Sequence, residues 1–143
     1  MLILKVKKYG KKVPSGNNFI LAVDVGGTNC NFGIFNKYKL FLSLHYKSKN
    51  VTNFTDLVHF ALDHLWRKHK IKCKSICIAA AGPRQGNIIQ MTNRNWKVDA
   101  NAIKKKTGIK KVCLINDFEA IAYGIDVIDK KKLLQIKKGK AVK

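Results

Sequence analysis

An apolar run that stops in an acid and two glycines, then resumes, leaves few ways to fold. Residues 20–29 read Ile20-Leu21-Ala22-Val23-Asp24-Val25-Gly26-Gly27-Thr28-Asn29, and a second strand-like run continues from Cys30 to Phe35. The first run has the length and composition of a buried strand. Gly26-Gly27 gives the backbone access to positive φ and lets it approach a neighbour closely. The pair predicts a tight turn between two strands, and two readings of that turn stand side by side. One is a plain β-hairpin, for which Gly-Gly is an ordinary signal. The other is a phosphate cradle. Backbone N–H groups in a glycine turn face phosphate oxygens, Thr28 adds a hydroxyl, and Asp24 at the strand end suits a magnesium ion held directly or through its waters. The stretch is neither a Walker loop nor a dinucleotide fingerprint, because no Gly-Lys-Ser/Thr and no helical pattern follow it.

Size and charge bound the rest. A chain of 143 residues, 46% hydrophobic and 26% charged, builds one domain with a core of its own and is not disordered. No apolar run approaches a membrane span, so no membrane partner is expected. Met1-Leu2-Ile3-Leu4 is too short for a signal-peptide core and lysines follow it, so a cytoplasmic location is the expectation. The 29 basic against 8 acidic residues give a net charge of +21. Lysines gather near both ends, at Lys5, Lys7, Lys8, Lys11 and Lys12 and again from Lys130 onward. Such a balance fits a polyanion partner or a solvated lysine-rich surface. The basic ends lack the interleaved aromatics that stack bases, so no specific nucleic-acid partner is expected. Cys30, Cys73, Cys77 and Cys113 lie in or at the edge of strand-like runs and read as small buried hydrophobes, with no Cys-x-x-Cys pair. His64, His69, Cys73 and Cys77 fall close together at a spacing that matches no zinc pattern, and are expected to be structural.

Read in order, residues 1–18 look like a basic leader ending in a turn or linker at 14–18. Strands follow at 19–24, 31–35 and 39–46, a three-strand antiparallel meander. Asn53 caps a helix whose apolar stripe is Phe54, Leu57, Val58, Ala61, Leu62, Leu65 and Trp66. His59, Asp63 and Arg67 lie on its opposite, exposed face. Residues 75–81 form a central strand stopped by Gly82-Pro83, and 88–91 with 96–98 form a small hairpin. Asp99 caps a second helix that Gly108 closes. A buried strand at 111–115 leads through Asn116-Asp117-Phe118-Glu119 into a third helix at 120–124. The order β-β-β-α-β-α-β-α predicts an α/β domain on a mixed five-stranded sheet. Ligands in open α/β sheets sit beyond the carboxyl ends of the strands. Asp24 and Asp117 both lie there, and share one cleft if their strands are parallel and adjacent.

Asn116-Asp117 also has two readings. An acid at a strand end can take a proton from a substrate hydroxyl as it attacks a phosphoryl group, with the neighbouring amide holding a polyol. Equally, Asn116 followed three residues later by Glu119 is the spacing of a capping box.

These residues carry a resemblance. Val23-Asp24-Val25-Gly26-Gly27-Thr28-Asn29 resembles the first phosphate motif of the sugar-kinase, actin and heat-shock-chaperone superfamily. Met91-Thr92-Asn93-Arg94-Asn95-Trp96 and Leu114-Ile115-Asn116-Asp117-Phe118-Glu119-Ala120 are similar to segments of the bacterial-type glucokinase family, and Ala79-Ala80-Ala81-Gly82-Pro83 matches as well. The resemblance covers about 19–124. It implies a ribonuclease-H-like (actin-like ATPase) fold and ATP-dependent phosphorylation of the 6-hydroxyl of glucose or a related hexose. Asp117 would be the catalytic base and Asn116 a sugar ligand. Asp24 would organise the magnesium of Mg-ATP, and Gly26, Gly27, Thr28 and Asn29 would line its phosphates. Residues 19–128 would be the smaller, N-terminal lobe, and 129–143 a lysine-rich tail that starts the connection to a second lobe or subunit. Family members are about twice as long, and their second lobe supplies a Glu-x-x-His sugar segment, a second glycine-rich loop and the adenine pocket. A non-catalytic sugar or nucleotide sensor, or a polyanion-binding module, is the alternative use of the same fold.

Overall fold

The structure is a computed structural model that describes residues 5–10, 12 and 14–134. Four strands come first: β1 (Lys5–Lys8), β2 (Gly16–Val25), β3 (Asn29–Asn36) and β4 (Lys39–Lys47). Helix α1 (Phe54–His69) leads to β5 (Ile71–Ala80), and a small sheet of β6 (Arg84–Gln85), β7 (Ile88–Gln90) and β8 (Lys97–Asp99) leads to α2 (Ala100–Thr107). The chain then makes β9 (Lys111–Asn116) and α3 (Asp117–Ile125). The main sheet has six strands in the order β1-β4-β3-β2-β5-β9. β2, β3 and β4 are antiparallel, while β2, β5 and β9 run parallel.

Alternation decides which face is the core. Leu21, Val23, Phe32, Ile34, Leu44 and Ile78 are buried on one face, and α1 and α2 cover it. Asn53 accepts from the Asp56 N–H at 3.2 Å and starts α1. Leu57, Val58, Ala61 and Leu65 turn inward, and Lys70 ends the helix at φ 55°. Asp99 caps α2, and Gly108 ends it at φ 75°. The second face is only half covered. There Ala120 of α3 lines an open groove of about 320 Å³ with Ala22, Gly33, Cys77 and Ile115. No helix among the described residues is long and apolar enough to cross a membrane.

The mixed α/β sheet agrees with the sequence reading, and the strand count does not. A sixth strand, β1, lies inside the stretch read as a leader and pairs antiparallel with β4, Lys5 opposite His45. Its lysines are the ordinary guard of an edge strand, which is why so charged a segment reads as solvated chain. The small hairpin gains a third strand, β6, and the last helix begins at Asp117. Residues 135–143 of the expected tail, and 1–4, 11 and 13 of the expected leader, lie outside the described residues.

Candidate active site

The glycine turn is held from outside by its carbonyls. The Gly26 N–H donates to the Asn29 carbonyl at 2.9 Å and closes the turn. The Ser48 hydroxyl donates to the Gly26 carbonyl at 3.0 Å, and the Ser48 N–H donates to the Thr28 carbonyl at 2.9 Å. Arg94 Nη1 donates to the Gly27 carbonyl at 2.9 Å. The carbonyls of Gly26, Gly27 and Thr28 are thus all engaged, whereas among the described residues nothing accepts from the Gly27 and Thr28 N–H groups. A turn built this way offers donors and withholds acceptors, which is what an anion requires. Neither glycine adopts a positive φ, but space at both is tight. A Cβ at Gly26 would lie 3.0 Å from the Asn29 carbonyl oxygen, and one at Gly27 would lie 3.1 Å from Asn93 Nδ2.

Arg94 comes from the 91–96 motif, which packs against the turn. Its guanidinium also lies over the Trp96 ring at 4.2 Å, a planar stacking that fixes a cation beside the turn. Beneath the turn, burial pushes the Cys30 thiol up, against its hydrogen bond to Ser48 and the Arg94 charge. That leaves Cys30 a packing group. The motif put Arg94 in view but not its contact with Gly27, 67 residues away. Nothing in the sequence marked Ser48.

Across the parallel strands lies the second half. Gly82 has φ +156°, and a Cβ there would fall 2.2 Å from the Gln90 carbonyl oxygen. Its own carbonyl accepts from Asn116 Nδ2 at 3.0 Å. Asn116 Oδ1 accepts from the Phe118 N–H at 2.9 Å, and the Asn116 N–H donates to Glu119 Oε2 at 3.4 Å. The capping box is therefore present, and Asn116 braces the β5 end as well as the helix. Among the described residues one Nδ2 proton remains to it, since an amide nitrogen carries two. Asp117, the first residue of α3, is half-buried. Arg84 ties the region together by donating to the Leu114 carbonyl at 2.9 Å.

Asp24 lies near the end of β2 and Asp117 just past the end of β9, at the same end of the sheet, but those parallel strands are not adjacent, because β5 runs between them. Two strand spacings, about 10 Å, separate those strands, and Asp24 is level with Ile115, two residues before Asp117. The two acids are therefore separate groups on the sheet and not a pair. A magnesium ion fits the Asp24 side. Among the described residues no group of three or more His, Cys, Asp or Glu gathers to hold a metal. Magnesium normally takes one or two carboxylates and completes its shell with water and phosphate oxygens, and exposed Asp24 beside the turn supplies that one carboxylate.

The family profile described as Glucokinase matches residues 21–143. The chain is 29% identical to the glucokinase of Photorhabdus laumondii over 131 residues, which is 89% of this chain and 39% of that protein. It is 31% identical to an Escherichia coli glucokinase over 124 residues, 82% of this chain and 36% of that protein. Among solved structures, glucokinase from an Antarctic psychrotroph superposes with a TM-score of 0.73 at 25% identity, covering 89% of this chain and 41% of the other. A glucokinase of the ROK family from Streptomyces griseus, solved with glucose and AMPPNP, shares the fold at TM-score 0.58 and 18% identity, covering 74% of this chain and 35% of the other. The chain thus spans under two-fifths of the length of these two curated relatives. With the profile matching nearly the whole chain and the glycine turn and Asn116-Asp117 at one end of its parallel strands, the chain belongs to the glucokinase family.

Proposed function

We propose that this chain supplies the N-terminal lobe of an ATP-dependent glucokinase, and that a second lobe completes both binding sites. The observation that carries the reading is the turn whose carbonyls are all engaged and whose Gly27 and Thr28 N–H groups are not, one strand removed from an acid at the start of a helix. Gly26, Gly27, Thr28 and Asn29 take the nucleotide phosphates, with Arg94 as a fixed positive charge beside them. Asn116 uses its remaining Nδ2 proton on the sugar. Asp117 accepts the proton of the hexose 6-hydroxyl as that oxygen bonds to the γ-phosphorus and the bond to the ADP oxygen breaks. A magnesium ion on the nucleotide, held by Asp24 or its waters, supplies charge neutralisation. The transition state of such transfers is loose, so most of the catalysis lies in alignment and in closing the lobes over the sugar.

The chain joined to the second-lobe segment of a glucokinase relative is expected to release ADP only when glucose is present, in a coupled assay. Asp24→Ala is expected to raise the KM for Mg-ATP at least tenfold and leave the KM for glucose nearly unchanged. A folded, joined protein that binds neither glucose nor ATP would turn the reading toward a protein that uses the fold without the chemistry.

A further inference from the structure

The phosphate-side acid does not stand alone. Asp24 lies opposite Asn31 across β2 and β3, and Asn31 lies opposite His45 across β3 and β4. The three side chains form one row on the half-covered face. Asn31 Nδ2 is 3.0 Å from Asp24 Oδ2, and Asn31 Oδ1 is 2.8 Å from His45 Nδ1. His45 Nε2 is 2.8 Å from Ser43 Oγ, and Ser43 Oγ is 3.4 Å from the Tyr9 hydroxyl. Ser43 is buried, and Asn31, His45 and Tyr9 are half-buried.

With the His45 ring neutral, one end of the row fixes the direction of every bond. A carboxylate only accepts, so Asn31 turns its amide nitrogen toward Asp24 and its carbonyl oxygen toward His45. That oxygen needs a donor, so neutral His45 carries its proton on Nδ1. Nε2 is then a bare acceptor, and the Ser43 hydroxyl donates to it. Ser43 Oγ in turn accepts from Tyr9. All the donors point toward Asp24, an arrangement in which each bond strengthens the next.

We infer that Asn31 and His45 are positioning residues for Asp24, holding its carboxylate by Oδ2 and reserving Oδ1 for the phosphate-bound cation or its waters. The inference rests on the reading of the glycine turn as the nucleotide phosphate site. An exposed aspartate with no partner must be ordered at the moment of binding, whereas one already held has lost that entropy beforehand. Carboxylates and imidazoles that serve metals elsewhere are held by outer hydrogen bonds of this kind. The row also gives the edge strand a part in the site. Tyr9 follows β1 directly, and its N–H donates to the Phe41 carbonyl at 2.9 Å, so the docking of β1 sets the far end of the row.

The direct test is the tautomer of His45 in the full chain, read from the nitrogen-15 shifts of its ring. The neutral ring is expected to be protonated at Nδ1 and bare at Nε2. In Asp24→Ala and in Asn31→Leu the two nitrogens are expected to move toward averaged values, with the backbone amide spectrum otherwise kept. A ring protonated at Nε2 in the unsubstituted chain, or one unchanged by Asp24→Ala in a folded protein, overturns the inference. Kinetics of the two-lobe enzyme separate positioning from mere packing. Asn31→Leu and His45→Leu are expected to raise the KM for Mg-ATP about tenfold without moving the KM for glucose, and His45→Gln, which keeps a donor, is expected to restore it. If Asp24→Ala raises that KM and Asn31→Leu does not, the positioning role fails while the phosphate-site reading stands. If neither moves it, the phosphate-site reading itself fails.

Discussion

Gly82 shows how narrowly single residues are specified around the site. Its backbone at φ +156° and the 2.2 Å approach of the Gln90 oxygen to a built Cβ leave no room for a side chain. Gly82→Ala is expected to destabilise the fold by about 3 kcal/mol, measured as a shift in the urea midpoint at constant m. The carbonyl that Asn116 grips belongs to this same residue, so the substitution is also expected to loosen the entry to α3. Tyr46 presents the opposite case. Its ring packs edge-on against Phe32 with centroids 5.2 Å apart, but its buried hydroxyl has no partner among the described residues. Tyr46→Phe keeps the packing and removes an unsatisfied polar atom, so it is expected to stabilise by about 1 kcal/mol, visible in the same titration.

Elements differ in how far local pattern determines them. Helix α1 was legible because Asn53, Asp56 and the stripe through Leu57, Ala61 and Leu65 all report the same helix, and the observed cap and buried face coincide with them. The strands carrying the glycine turn were legible from their apolar runs. Strand β1 was not, because Lys5-Val6-Lys7-Lys8 forms a strand only when β4 offers its edge. The row from Asp24 to His45 was equally hidden, since cross-strand register is not a local property. Asn116 showed its capping role in the sequence, while its grip on Gly82, 34 residues away, needed the fold. Helix α1 also makes a pH prediction. His64 and His69 have ring centroids 6.1 Å apart. Desolvation, aided by Lys68 at His64 and by Lys8 and His64 at His69, lowers both below the ordinary value of 6.5. The unfolded chain therefore binds more protons below that value, so this contribution is present above pH 6.5 and is lost as the pH falls. Urea midpoints are expected to drop from about pH 7.5 to about pH 5.5, the range in which histidine titrates, and the drop is expected to be shallower in a His64→Gln, His69→Gln double variant.

At the scale of the whole molecule, one helix stands largely uncovered. Helix α3 buries none of its residues and exposes Phe118 at 78%, Ile121 at 63% and Tyr123 at 70%. Large exposed apolar patches mark surfaces that meet another body. The chain by itself is therefore expected to associate with rising concentration in sedimentation velocity, and a Phe118→Ser, Ile121→Ser double variant is expected to stay monomeric. If the second lobe of the proposed enzyme packs on this face, joining it is expected to end the association. The most direct measurement is glucose-dependent ADP release by the chain joined to a second lobe, compared with its Asp117→Asn variant. Loss of about three or more orders of magnitude in kcat, with glucose still bound, is expected if Asp117 takes the hydroxyl proton. Equal turnover by the variant would contradict the assignment of the base, and with it the placing of the hexose at this end of the sheet.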